Sequence, residues 1–236
     1  MSSQSEQSRS RCWSCYGETA RGRIFCDQCN HILPPDPRQT HFDRFELAPK
    51  FGLDLEALTR AFRKGQRATH PDRFVSSTDR ERRFALEQST VMNDAYRVLK
   101  APMKRAGYLL KLLGLDVDDE RGVKLSPEFL ITVLELRESL EELSGPDAHV
   151  ERQRIQQSVA LEYEEGLARL GTRLDAITKP DDHALLGLGQ LHAQLKYLRR
   201  TLEEIERLEA EGDTPDSGKL TRLDPLRPET FERKGS

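Results

Sequence analysis

The sequence predicts an all-α fold: a helical hairpin and a C-terminal three-helix bundle, preceded by a small N-terminal zinc-knuckle module. Three observations predict it. Charged residues make up 33% of the 236 positions, apolar residues 36% and aromatics 6%, a mix that suits helices with heavily solvated faces better than a large β-sandwich. Apolar residues recur at three- and four-residue steps through most of the chain, which is the helical period. All four cysteines crowd into the short stretch from Cys12 to Cys29.

The bulk numbers exclude some roles. A net charge of −3 argues against general nucleic-acid affinity and leaves room for a local basic face. No stretch approaches the roughly 18 consecutive apolar residues of a membrane span, so a soluble protein is expected. The opening "MSSQSEQSRSR" has neither the apolar run of a secretory signal nor the apolar face of a mitochondrial presequence. The chain is therefore expected to be made where it works, or to have lost a longer presequence. Arg outnumbers Lys by 27 to 10, which points to a GC-rich genome and a bacterial cytoplasm, with the mitochondrial matrix as the alternative.

Residues 1–10 read as a disordered tail and residues 11–32 as the cysteine module. "CWSCYGETARGRIFCDQC" holds two Cys-x-x-Cys knuckles separated by ten residues. Each knuckle converges two thiolates on one ion, and Cys12, Cys15, Cys26 and Cys29 complete the tetrahedron that Zn²⁺ favours. Gly17 and Gly22 are expected to supply the tight turns. Two disulfides and a thioredoxin-like redox pair are the alternatives; no signal peptide supports the first and no βαβ pattern the second. Four protein ligands leave no open coordination position, so one structural zinc per chain is expected to stabilise and not to catalyse.

Residues 33–40, with Pro34, Pro35 and Pro37, read as a stiff linker. A helix follows with Asp54 as its N-cap and Leu55, Leu58, Ala61 and Phe62 as its buried side; Arg60, Arg63, Lys64 and Arg67 form a basic stripe along it. From about Asp79 a second helix turns Phe84, Val91, Met92, Ala95, Val98 and Leu99 inward. Between them, "THPDRF" puts His70, Pro71 and Asp72 at the tip of an antiparallel hairpin. Pro71 fixes its own φ and biases His70 away from helix, so the tip is rigid. An exposed carboxylate beside a basic stripe suits docking to a charged partner, although on the residues alone a turn without special function is the default reading. Catalysis by His70 would need a pocket and a second group, and neither is in view.

A second linker spans 115–125. Ser126 and Pro127 then begin a helix as N-cap and first residue, and Gly145-Pro146 and Lys179-Pro180 separate it from two more. The apolar stripes Ile155, Val159, Tyr163, Leu167, Leu170, Leu174, Ile177 and Leu188, Leu191, Leu195, Leu198, Leu202, Ile205 read as the core of an antiparallel bundle over 126–211. Residues 212–236 read as a disordered tail. On the helix after Ser126, Phe129, Val133, Leu136, Leu140 and Leu143 fall within about 40° of one direction, taking about 100° per residue. Leu130, Ile131 and Leu134 lie roughly 100° to 200° away on the same wheel, flanked by Glu135, Arg137 and Glu138. Tyr197 is about 130° off the mean of Leu195 and Leu198. Such off-stripe residues form a partner site, pack on another domain, or are scattered surface positions.

"THPDRF", the basic helix before it and "MNDAYRVLKAPMKRAGYLL" after it resemble the J-domain of DnaJ-type co-chaperones, here spanning 41–114. The resemblance implies that His70, Pro71 and Asp72, with Arg73 and the basic face Arg60, Arg63, Lys64 and Arg67, dock on a DnaK-class ATPase chaperone and accelerate its ATP hydrolysis. Thr69 stands where the family carries an aromatic, preceded by Ala68, and this is expected to trim packing at the base of the loop. The Gly/Phe-rich segment and zinc repeats of general J-proteins are missing from the sequence. Instead, "PEFLITVLELRESLEEL" and "HAQLKYLRRTLEEIE" resemble the C-terminal domain of HscB, the J-type co-chaperone of iron–sulfur cluster biogenesis, and the tetracysteine module resembles that of its eukaryotic-type members. The resemblance spans about Cys12 to Ala210. It implies a protein that is not an enzyme, a monomer or weak dimer that delivers an IscU-type scaffold to an HscA-class partner, with Leu130, Ile131, Leu134, Glu135, Arg137, Glu138 and Tyr197 binding the scaffold. A J-protein with another client, and a nucleic-acid-binding zinc ribbon, are the alternative readings.

Overall fold

A computed structural model of the protein describes residues 9–117, 123, 125–143, 148–177 and 181–210. The proposed breaks at Gly145-Pro146 and Lys179-Pro180, most of the 115–125 linker, and the tails 1–8 and 212–236 lie outside the described residues. The chain forms two compact units, Met1–Arg105 and Ala106–Ser236.

The first unit opens with a two-stranded antiparallel ribbon, β1 (Arg9–Arg11) and β2 (Glu18–Ala20), in which Arg9 pairs with Ala20 and Arg11 with Glu18. Arg9 and Ser10, assigned to the tail from sequence, are thus the first strand. Helix α1 (Leu55–Thr69) begins at Asp54, whose carboxylate accepts the N–H groups of Glu56 and Ala57. The Ala57 N–H chiefly, then that of Glu56 and the nearby Arg60, hold this carboxyl below its usual range. Helix α2 (Asp79–Lys100) starts with a full capping box between Thr78 and Glu81.

The two helices pair closely because Gly65 admits Met92: a Cβ on Gly65 would lie 2.3 Å from the Met92 sulfur. Phe62 stacks on Tyr96 at 4.1 Å, and the Gln66 side-chain amide donates to Asn93 at 2.6 Å. Leu58 is fully buried as expected. Leu55, expected inside, is 45% exposed.

The division between the two compact units falls inside helix α3 (Pro102–Leu112). Leu109 and Leu110 are buried, and Gly107 lets the His192 ring come close; both residues belong to the second unit. That unit is built on α4 (Pro127–Glu142), α5 (Ala148–Ala176) and α6 (Asp182–Ala210). The Ser126 hydroxyl caps α4 by accepting the Phe129 N–H at 3.2 Å, with Pro127 in the first turn. Along α5 and α6 the stripe residues Val159, Leu170, Leu174, Leu188, Leu195, Leu198 and Ile205 are buried. Gly166 brings α5 close to the Leu195 methyls. Leu170 is 0% exposed, so Leu170→Ala is expected to cost the bundle about 2–5 kcal/mol, read as a shifted urea midpoint at unchanged slope.

Candidate functional site

Three places concern function: the cysteine cluster, the hairpin tip and the outer face of α4.

In the cluster the two knuckles repeat one backbone pattern. Cys12 N–H donates to Gly17 O and Cys26 N–H to His31 O, both at 2.9 Å, while Tyr16 and Asn30 N–H groups return to Cys12 O and Cys26 O at 3.0 Å. Ser14 and Gln28 N–H groups point at the sulfurs of Cys12 and Cys26, each at 3.4 Å. Tyr16 and Asn30 hold φ of 60° and 59°. They, with Gly22, make the left-handed turns, whereas Gly17 does not; its hydrogen atoms instead make room for the Gln28 side chain. Asp27 ties the second knuckle to β2, accepting from Thr19 Oγ1 at 3.1 Å and Ala20 N–H at 3.3 Å.

The four sulfurs lie within 4.8 Å of one another, with Cys12–Cys29 at 3.6 Å and Cys15–Cys26 at 3.8 Å. A disulfide needs about 2.05 Å. A tetrahedral ion with sulfurs at about 2.3 Å sets them about 3.8 Å apart, so the spacing fits a tetrathiolate metal site. The Cys26 thiol is lowered to about 7, chiefly by the Cys29 backbone N–H and then by that of Gln28. At Cys29 the His31 N–H pulls down, but burial and its hydrogen bonds with the other thiols push it up to about 12.

At the hairpin tip α1 ends at Thr69, and a 3-10 turn, Pro71–Phe74, leads to α2. Thr69 is fully buried, with its hydroxyl donating to Gly65 O at 3.1 Å. The base of the loop is therefore filled and not trimmed, because a small satisfied hydroxyl suffices there. His70 Nδ1 accepts the Asp72 N–H at 3.3 Å, which requires a lone pair on Nδ1. The Asp72 carboxylate lies 3.5 Å from the same nitrogen. It remains 86% exposed. Arg73 reaches back toward Arg67 O at 3.5 Å, and Arg60 lies near Glu56 and Asp54. Arg63, Lys64 and Arg67 are exposed along α1.

On α4, Val133 is buried and Phe129, Leu136, Leu140 and Leu143 are half-buried. Leu130, Ile131 and Leu134 are 38%, 56% and 57% exposed, and Glu135 and Glu138 are exposed beside them. Arg137 is half-buried and pairs with Glu141 at 2.9 Å. Tyr197 departs from the outward reading. It is half-buried, meets the Phe129 ring edge-on at 6.0 Å, and lines a small cavity with Val133, Leu136, Arg137 and Leu140. Its offset from the α6 stripe is explained by α4, a second neighbour that Tyr197 meets through Phe129 while Leu195 packs on Gly166 of α5. Burial pushes its phenol up, with Arg137 pulling the other way.

The cysteine module also docks on the hairpin. Leu33, assigned to the linker, is buried, and its carbonyl accepts the Gln88 side-chain amide of α2 at 3.0 Å. A polar Gln88 in the apolar stripe of α2 was the available signal. Trp13, between the first two cysteines, donates to Ile32 O at 2.7 Å and sets its ring edge-on to Phe84 at 5.9 Å.

Comparison with known proteins agrees with this architecture. The family model of the HscB C-terminal oligomerisation domain matches residues 125–206. The human iron–sulfur cluster co-chaperone protein HscB is 32% identical over 169 residues, covering 70% of this chain and 72% of that one. A co-chaperone protein HscB homologue of Burkholderia multivorans is 37% identical over 182 residues, 73% of this chain and 97% of its own. Among solved structures, the crystal structure of human co-chaperone protein HscB superposes with a TM-score of 0.74 at 27% identity, over 86% of this chain and all of that one. The HscB chaperone of Vibrio cholerae gives 0.63 at 31% identity, over 73% of this chain and 99% of its own. With identity above three tenths over nearly the full length of a bacterial relative, and helices that superpose on two HscB structures, the chain belongs to the HscB family of co-chaperones.

Proposed function

We propose that this chain is a J-type co-chaperone of iron–sulfur cluster assembly that holds an IscU-type scaffold on α4 while residues 41–114, its J-domain, dock on a DnaK/HscA-class chaperone and stimulate ATP hydrolysis there. The observation that carries the reading is the pairing of two exposed features of opposite chemistry. One is a charged, rigid tip at His70, Pro71 and Asp72; the other is the apolar trio Leu130, Ile131 and Leu134 on the side of α4 away from its core stripe. The human relative is named for iron–sulfur clusters, which supports the scaffold as client. Tethering raises the effective concentration of client at the chaperone when hydrolysis closes it. The protein's part is binding and presentation; the chemistry of ATP cleavage belongs to its partner, and the coupling is a free energy shared between docking and the chaperone's conformational equilibrium. The bacterial cytoplasm is its place of work, and among the described residues no helix is long and apolar enough to cross a membrane.

The cysteine cluster holds Zn²⁺. Four sulfur ligands suit that ion and close its coordination sphere. One equivalent per chain is expected by atomic emission, with no disulfide-reductase activity. Because bound ligands must be thiolates, metal affinity is expected to fall as the pH is lowered, read by competition with a zinc indicator dye; affinity independent of pH would rule out thiolate ligation.

Calorimetric titration of the purified chain with an IscU-type scaffold tests the client. Micromolar binding supports it. No binding, with ATPase stimulation retained, replaces the scaffold by another client.

A further inference from the structure

We propose that the tetracysteine module is a metal-dependent clamp on the His70–Pro71–Asp72 turn, so that loading of one thiolate-binding divalent ion sets how rigidly the turn is presented; this rests on the turn being the chaperone-docking element.

The clamp is a single apolar cluster built from both partners. Ile32 is 1% exposed, Phe74 8%, Phe84 5% and Ala85 1%, with Trp13, Ile24 and Phe25 packed against them. Phe74 is the last residue of the 3-10 turn that Pro71 begins, two positions beyond Asp72. Its ring is the anchor of that turn, and the surface it anchors to is contributed in part by the module.

The module's side of the cluster is hung on the metal ligands. Trp13 stands between Cys12 and Cys15. Its ring lies edge-on to Phe84 and under the Arg80 guanidinium at 4.6 Å. Ile32 follows the second knuckle by three residues, pairs with Phe25 across a backbone bridge, and accepts the Trp13 indole N–H. A buried hydrogen bond from Gln88 to Leu33 O closes the far edge. His31 Nε2 comes within 3.9 Å of Glu81, the residue that completes the capping box of α2.

A module this short lies far below the roughly 40 residues at which a chain folds on its own core, so a bound metal supplies the folding free energy. Without the metal the knuckles lose their shared centre, and Trp13 and Ile32 lose their fixed positions over Phe84 and Phe74. The hairpin keeps its own α1–α2 contacts. What is lost is one wall of the pocket for Phe74, and with it the brace on the turn. Local opening free energies of this kind differ between neighbouring segments of one fold and are read by amide exchange.

The test is hydrogen exchange by mass spectrometry on the full chain, with metal content verified, before and after removal of zinc by a high-affinity chelator. The reporters are amides whose acceptors lie in the turn: Asp72 to His70 Nδ1, Arg73 to His70 O and Ser77 to Phe74 O. Exchange over residues 71–78 is expected to rise by at least about tenfold on metal removal, while α5 and α6 keep their rates. A metal-loaded Gln88→Leu chain, altered on α2 and away from the knuckles, is expected to show part of the same rise and a reduced stimulation of a DnaK-class ATPase. Unchanged exchange over 71–78 in verified metal-free protein would overturn the clamp. If exchange responds to metal but even the loaded chain fails to stimulate the ATPase, the clamp stands and the docking role of the turn falls.

Discussion

Asp72→Asn is expected to abolish stimulation of a DnaK-class ATPase while leaving the fold intact. The carboxylate is 86% exposed, and its backbone N–H, not its side chain, makes the hydrogen bond to His70. The amide is isosteric, so the turn keeps its shape and α1 and α2 keep their stacked Phe62–Tyr96 pair. What disappears is the negative charge that would meet an arginine or lysine of the partner. Truncating one member of a close interfacial ion pair costs about 2–5 kcal/mol, or at least about thirtyfold in docking affinity. Steady-state ATPase assays over a range of co-chaperone concentrations read this directly, with circular dichroism as the fold control. Retained stimulation at wild-type concentrations would show that the chain engages its chaperone through another surface. Pro71→Ala separates rigidity from charge: the carboxylate stays and the fixed φ is lost, so a partial loss is expected.

The second large effect is on client binding. Ile131→Ser with Leu134→Ser is expected to weaken binding of an IscU-type scaffold by more than about a hundredfold, since burying each side chain on docking contributes roughly 1.5–3 kcal/mol. Both residues are more than half exposed, so replacing them removes no core contact, and the thermal midpoint is expected to hold or rise slightly. Tyr197 makes a poorer probe. Its ring meets Phe129, and Tyr197→Ser would loosen the seat of α4 as well as any contact with a client. A double variant that binds the scaffold as tightly as the native chain would move the client site away from α4.

Much of this architecture was legible in the residues. Asp54 and Ser126 stand where their helices begin, because an oxygen-bearing side chain before an apolar-periodic run has few other places to satisfy the first N–H groups. The α5 and α6 stripes read correctly because each helix buries one side against the other. The tetracysteine spacing was equally plain. Three features were hidden, and each depends on a third neighbour. Tyr197 faces α4, so a two-helix wheel misplaces it. Leu33 looked like linker because its carbonyl finds Gln88, fifty-five positions away, and no local pattern encodes that distance. Gly17 looked like a turn residue, yet Tyr16 and Asn30 take the left-handed conformation, where the next backbone groups close each knuckle.

The Gln88–Leu33 hydrogen bond also sets an order of events at the ribosome. Leu33 is synthesised fifty-five residues ahead of the glutamine that secures it, and the four cysteines earlier still. At about 5–20 residues per second, that interval is about 3–11 s. For those seconds Trp13 and Leu33 have neither Phe84 nor Gln88 to rest against, and an ion caught then by the nascent thiols would shape the knuckles before the helix arrives to receive them. Cells short of available zinc during translation would therefore accumulate chains whose hairpin folds first, beside a thiol segment still open to oxidation.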